Sequence, residues 1–227
     1  MIRGVIFDLD GTLVDSNEAH VLSWTEALGE FGWQVAPEQV RPLIGMGGDR
    51  LLPALIGIAE EAPEGRPISR RRQRLMERFL PELRPFAGAQ ALLRELGRRG
   101  LRRAVASSAS RADVDRMLER AGLVGCFEAV ISADEAASSK PAPDVVEAAR
   151  TKLGLEPGEV IMVGDTRYDV AAARRVGIPA IGLRCGGADD AALAGAVAIY
   201  DGPAELLAEI DRSPLASESP WAPIGRS

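Results

Sequence analysis

Short apolar runs bounded by polar or glycine residues punctuate the chain at 4–7, 103–106, 129–132, 160–163 and 180–183. Each is too short for a helix, and most are rich in Val and Ile, as strands buried on both faces of a parallel sheet are. Between them, segments 87–99, 111–121, 143–153 and 169–176 carry helix-like patterns. Strand alternating with helix predicts an α/β chain built on a doubly wound parallel sheet. Ligands in that class bind outside the carboxyl ends of the strands, so the residues that follow each run are the ones to read for chemistry.

The stretch 14–83 breaks the alternation. It holds helical patterns at 18–31, 37–44, 50–59 and 69–79 and no convincing strand, and Pro81 and Pro85 punctuate the return to the sheet. The expected organisation is a core at 1–13 and 84–212, an inserted helical cap at 14–83, and a loosely ordered, Pro- and Ser-rich tail at 213–227.

Composition narrows the class. The 227 residues are 46% hydrophobic and 26% charged, an ordinary globular balance in which a core of this size needs no disulfide or structural zinc. Cys126 and Cys185 have no CxxC spacing and read as reduced, buried thiols, with a single long-range disulfide as the alternative. A net charge of -6 lacks the basic footprint of a nucleic-acid binder. The run Arg66, Arg70, Arg71, Arg72, Arg74 and Arg78 reads first as a solvated helix face, and second as a positive field that draws phosphorylated substrates to a cleft. No secretory segment opens the chain, and no stretch approaches the ~18 apolar residues of a membrane span, so the expectation is a soluble, cytoplasmic protein without a membrane partner.

The chemistry gathers at the strand ends. The first run leads into Asp8-Leu9-Asp10-Gly11-Thr12, and the fourth into Gly164-Asp165-Thr166-Arg167-Tyr168-Asp169. Four acids gathered above one sheet repel each other unless a cation sits among them, and hard oxygen ligands favour Mg²⁺. The second run closes with Ser107-Ser108 at the start of a helix, whose free N–H groups suit a phosphate. After the third comes Ser139-Lys140-Pro141, where Lys140 offsets carboxylate charge.

Taken together, Asp8-x-Asp10-Gly11-Thr12, Ser107, Lys140-Pro141 and Gly164-Asp165-x-x-x-Asp169 resemble the four motifs of the haloacid dehalogenase superfamily, over roughly residues 1 to 210. The resemblance implies a Rossmann-like core with a helical cap inserted after the first motif. It also implies an aspartyl-phosphate mechanism, with Asp8 as nucleophile and Asp10 as general acid and base. The Asp8 carboxylate, the Asp10 carbonyl and Asp165 are implied Mg²⁺ ligands, Asp169 supports the metal, and Ser107, Ser108 and Lys140 hold the phosphoryl oxygens. The family's dehalogenases lack the second acid, present here as Asp10, which points to phosphoryl transfer.

Substrate choice is expected to lie in the cap. His20 and Trp24 stand four apart on one helix face, and Gly45-Met46-Gly47-Gly48-Asp49-Arg50 is a flexible loop ending in a cation. The bland alternative for His20 and Trp24 is packing within the cap. Asp15-Ser16…His20…Trp24 resembles the β-phosphoglucomutase-like branch more than the phosphoglycolate phosphatases, whereas Thr12 stands where mutases of that branch commonly carry Val. The balance favours a phosphatase of a small phosphorylated metabolite, acting as a monomer or weak homodimer, over a phosphosugar mutase. A P-loop or dinucleotide site is excluded, because neither GxxxxGK[ST] nor GxGxxG is in place. A binding-only protein with a decayed site would lack a motif position, and none is missing.

Overall fold

The computed structural model describes residues 1–216. Six strands form one sheet: β1 (Gly4–Phe7), β2 (Arg102–Ala106), β3 (Ala129–Ile131), β4 (Val160–Gly164), β5 (Ala180–Leu183) and β6 (Ala198–Tyr200). Every neighbouring pair is parallel, in the order β3-β2-β1-β4-β5-β6. The chain moves outward one way through β2 and β3, then starts again beside β1 at β4. The crevice between the carboxyl ends of β1 and β4 is therefore the topological switch point, where doubly wound sheets bind ligands.

Alternation along the strands assigns the two faces. Val5, Phe7, Val105, Ile161, Val163, Ile181 and Leu183 pack on one side, among residues of α5 (Ala89–Arg98), α6 (Arg111–Arg120) and α9 (Pro203–Ala208). Ile6, Ala104, Ala106, Val160, Met162 and Ala180 pack on the other, against α7 (Asp144–Leu153) and α8 (Arg167–Arg175). Both faces being covered explains why the strands read as continuous apolar runs.

Between β1 and α5 lie α1 (Asn17–Glu30), α2 (Pro37–Val40), α3 (Gly48–Ile56) and α4 (Gly65–Met76). They close around a separate apolar cluster that includes Val21, Trp24, Leu28, Leu51, Leu52, Ile68 and Leu75. Entry and exit run side by side: Phe86 N donates to Leu13 O, Asp15 N donates to Arg84 O, and Val14 bridges Pro85 antiparallel.

Several expectations are corrected. Strand β6 and helix α9 go unannounced, because β6 is a three-residue edge strand whose positions are only half-buried. Helix α4 begins at Gly65, ahead of the expected 69, because Pro67 sits in the first turn, where its missing N–H costs nothing. Both cysteines are free but only half-buried, Cys185 because it lies in the turn after β5 rather than in the sheet. Of the tail expected at 213–227, the described residues 213–216 join the fold: Ser213 Oγ donates to Ile210 O and Leu215 is buried in the core, while 217–227 lie outside the described residues. Within the arginine run, Arg66, Arg71 and Arg78 meet Glu61, Glu30 and Glu26 on the outer face, in keeping with the first reading of a solvated helix face. Arg72 differs from these three in turning inward.

Candidate active site

Asp8 is the first residue past β1, and its N–H donates to Val163 O at 2.9 Å, so the sheet's own pairing continues one step and holds it rigidly. Asp165 is the first residue past β4, and Asp169 lies in the first turn of α8. Thr166 caps that helix, accepting from Asp169 N, while its own N–H and Oγ donate to Asp169 Oδ2. Oxygens of Asp8, Asp165 and Asp169 lie within 4.8 Å of one another, and all three residues are buried.

One cation enters this cluster from the third strand's loop. Lys140 is fully buried, with Nζ 2.6 Å from Asp8 Oδ1 and 2.7 Å from Asp169 Oδ1, and it also donates to Ala106 O. It does not balance the acids. Burial, opposed by Lys140, holds the Asp8 carboxyl well above the usual range, and burial with the nearby Asp169 charge pushes Asp165 up to about 7. A divalent cation among these carboxylates would offset both their burial and the charge of their acidic neighbours.

The chain leaves room for such an ion. Gly11 has φ 71°, and a Cβ there would sit 2.2 Å from Asp165 Oδ2. Asn17 Nδ2 donates to Asp165 Oδ2 and Gly186 O, while Asn17 Oδ1 is buried without a partner, an acceptor left for a water or ligand. Hard carboxylate oxygens plus an orphan acceptor fit Mg²⁺.

Asp10 has a different setting. Its Oδ1 accepts from Ser16 Oγ at 2.6 Å and lies 2.6 Å from His20 Nε2. Arg72 NH2 lies 2.6 Å from His20 Nδ1, across the ring from the nitrogen that faces Asp10. Although burial opposes it, the His20 charge and hydrogen bond, with help from Ser16 and Arg72, hold the Asp10 carboxyl down at about 2. Arg72 also pairs with Asp113 of α6 at 3.2 Å and covers the Trp24 ring at 5.4 Å, so the helical insert is tied to the core through this side chain.

The remaining candidates divide. Asp8, Asp10, His20, Trp24 and Ser108 line a cavity of about 370 Å³ between the insert and the sheet. Ser107 does not face it: its Oγ accepts from Ala109 N, and it is buried beneath the wall, whereas Ser108 Oγ accepts from Lys140 N. Arg50 does not line the cavity either; its Nε donates to Ser139 O, and Asp49 beside it accepts from Ser139 Oγ and N. Asn17 and Asp113 escaped the sequence reading, and Arg72 was visible only as one of the arginine run, because each gains meaning through a partner distant in the chain; Ser16 was visible beside Asp15 but not its bond to Asp10. Thr12 now has a contact, its Oγ1 donating to Asp165 Oδ1 at 2.8 Å, which a Val could not make.

The family model described as "Haloacid dehalogenase-like hydrolase" matches residues 5–183. A phosphoglycolate phosphatase of Rhodospirillum rubrum is 32% identical over 221 residues, 91% of this chain and 90% of that protein. A fructose-1-phosphate phosphatase of Escherichia coli is 28% identical over 182 residues, 80% of this chain and 96% of that one. Among solved structures, a hydrolase from Pseudomonas syringae superposes with a TM-score of 0.88 at 31% identity, covering 93% of this chain and 99% of its own.

Proposed function

Since the chain belongs to the family of haloacid dehalogenase-like hydrolases, we propose that it is a Mg²⁺-dependent cytoplasmic phosphatase of a small phosphorylated metabolite, working through an aspartyl-phosphate on Asp8. The observation that carries this reading is the separation of two carboxylates only two residues apart. Asp8 sits in the acid cluster against Lys140, and Asp10 faces the insert against His20.

The Asp8 carboxylate attacks phosphorus in line, and the bond to the leaving oxygen breaks as Asp10 gives that oxygen a proton. Water then attacks the same phosphorus, Asp10 takes the proton back, and Asp8 is freed with release of phosphate. Lys140 and the Ser108 turn hold the phosphoryl oxygens, and Ser107 supports that turn from beneath. When bound by Asp8, the Asp10 carbonyl and Asp165, with Asp169 in support, Mg²⁺ would offset the charge of the phosphoryl oxygens. With Asp10 held low by His20, the arrangement described here matches the second step, in which Asp10 acts as a base. The first step needs Asp10 protonated, and therefore a looser His20 contact.

Support comes from the phosphatases among the relatives and from Thr12 holding Asp165. The test is phosphate release from a panel of phosphorylated metabolites with Mg²⁺ or with EDTA. Release that needs Mg²⁺ and vanishes in Asp8→Asn is expected; full activity in EDTA, or in Asp8→Asn, overturns the reading.

A further inference from the structure

Beyond the position of the transferred phosphate, the cavity wall carries five carboxylates: Asp49 of α3, Glu60 and Glu61 between α3 and α4, Asp113 of α6, and Asp134 after β3. Against them, Arg72 is the one Lys or Arg lining the cavity among the described residues. It is already engaged by Asp113 and His20 and lies over Trp24. The other nearby cations are spent elsewhere, Arg50 on Ser139 O and Lys140 between Asp8 and Asp169.

Glu60 has no ion-pair partner among the described residues. Its Oε1 accepts from Ser69 Oγ at 2.6 Å, and a Cβ on Gly48 would meet that carboxylate at 2.4 Å, which places it against the loop at the cavity rim. Burial already raises its pKa, so it stands in a desolvated spot where a further negative charge is felt strongly. The uncharged part of the wall is rich in hydroxyls and an amide, among them Ser69, Ser108, Ser110, Ser138 and Gln73.

We propose that the group attached to the transferred phosphate carries no negative charge, being a hydroxyl-rich sugar or polyol, and that Glu60 enforces the choice. Hydroxyls donate to carboxylates and accept from the serines, so such a group satisfies this wall without a cation. A second phosphate or a carboxylate would enter a field of acids with no free cation to meet it, which is discrimination by repulsion. The inference rests on the phosphatase reading and narrows it.

The experiment compares kcat/KM, with Mg²⁺, for fructose 1-phosphate and fructose 1,6-bisphosphate, for glucose 6-phosphate and 6-phosphogluconate, and for p-nitrophenyl phosphate as a core-only probe. The uncharged member of each pair is expected to lead by about tenfold or more. In Glu60→Gln the ratio within each pair is expected to shrink at least about threefold. In the unaltered protein it should also shrink as NaCl rises from about 20 to about 500 mM, a measurement that needs no variant to fold. Hydrolysis of the aryl phosphate with equal or reversed preference within the pairs overturns the inference and leaves the phosphatase reading standing. A preference insensitive to salt overturns its electrostatic origin, and one unchanged by Glu60→Gln in a folded variant overturns the role of Glu60. Release of phosphate from none of the compounds overturns the phosphatase reading itself.

Discussion

Lys140→Met is the most informative perturbation of the core site. It removes an ammonium 2.6 Å from Asp8 and 2.7 Å from Asp169 and keeps most of the stem's volume, so the change isolates the charge. Breaking a buried ion pair by deleting one partner costs about 3–5 kcal/mol, since the survivor is left charged and unsolvated. A second limit is independent: the folded variant can escape by taking up a proton. Keeping a carboxyl with an ordinary pKa of ~3.9 protonated at pH 7 spans about 3 units at about 1.4 kcal/mol each, or about 4 kcal/mol. The two limits agree. The sign of the pH dependence follows: the folded variant would bind about one more proton than the folded parent above about pH 4. Its stability relative to the parent therefore falls as pH rises, by up to about 1.4 kcal/mol per unit, leaving a deficit of only about 1.5 kcal/mol at pH 5. Urea unfolding of both proteins in EDTA at pH 5 and pH 7 measures this directly. A variant as stable as the parent at pH 7, or a deficit equal at the two pH values, refutes the account of Lys140 as the counter-charge of the acid cluster.

The other predictions concern catalysis. Asp8→Asn, with the same shape but no nucleophile, should lower steady-state phosphate release below detection while the protein still unfolds cooperatively; sustained turnover would falsify the assignment. Asp165→Ala should raise the Mg²⁺ concentration for half-maximal activity more than Asp169→Ala does. Asp169→Ala should cost more stability, because Asp169 also receives Lys140 and Thr166; a reversed order in titration and melting would reassign the two. Arg50→Ala frees the Ser139 carbonyl and should lower kcat/KM for a metabolite several-fold while barely changing an aryl phosphate, and equal losses would place Arg50 in support of the core. Phosphate release should match substrate loss without a bisphosphate activator; conversion of β-glucose 1-phosphate to glucose 6-phosphate with little free phosphate would install a mutase in its place.

The sequence by itself determined the sheet's central strands and the acids at their ends. Val5 to Phe7 and Val160 to Val163 are buried on both faces, so their apolar character is continuous and legible, and a carboxylate directly after such a run can only stand at its carboxyl end. The helices between β1 and α5 were legible too, because helical periodicity replaced strand runs there. The edge strand β6 was not, since three half-buried residues leave no pattern. What only the tertiary structure decided is which residues meet across the chain. Arg72 and His20 are 52 positions apart and touch, Asn17 reaches Asp165 across 148 positions, and Arg50 turns to Ser139 instead of into the cavity. Local spacing encodes the face a side chain occupies on its own element. Partnership depends on how two elements pack, and that is settled by the burial of apolar faces in which the polar residues take no part.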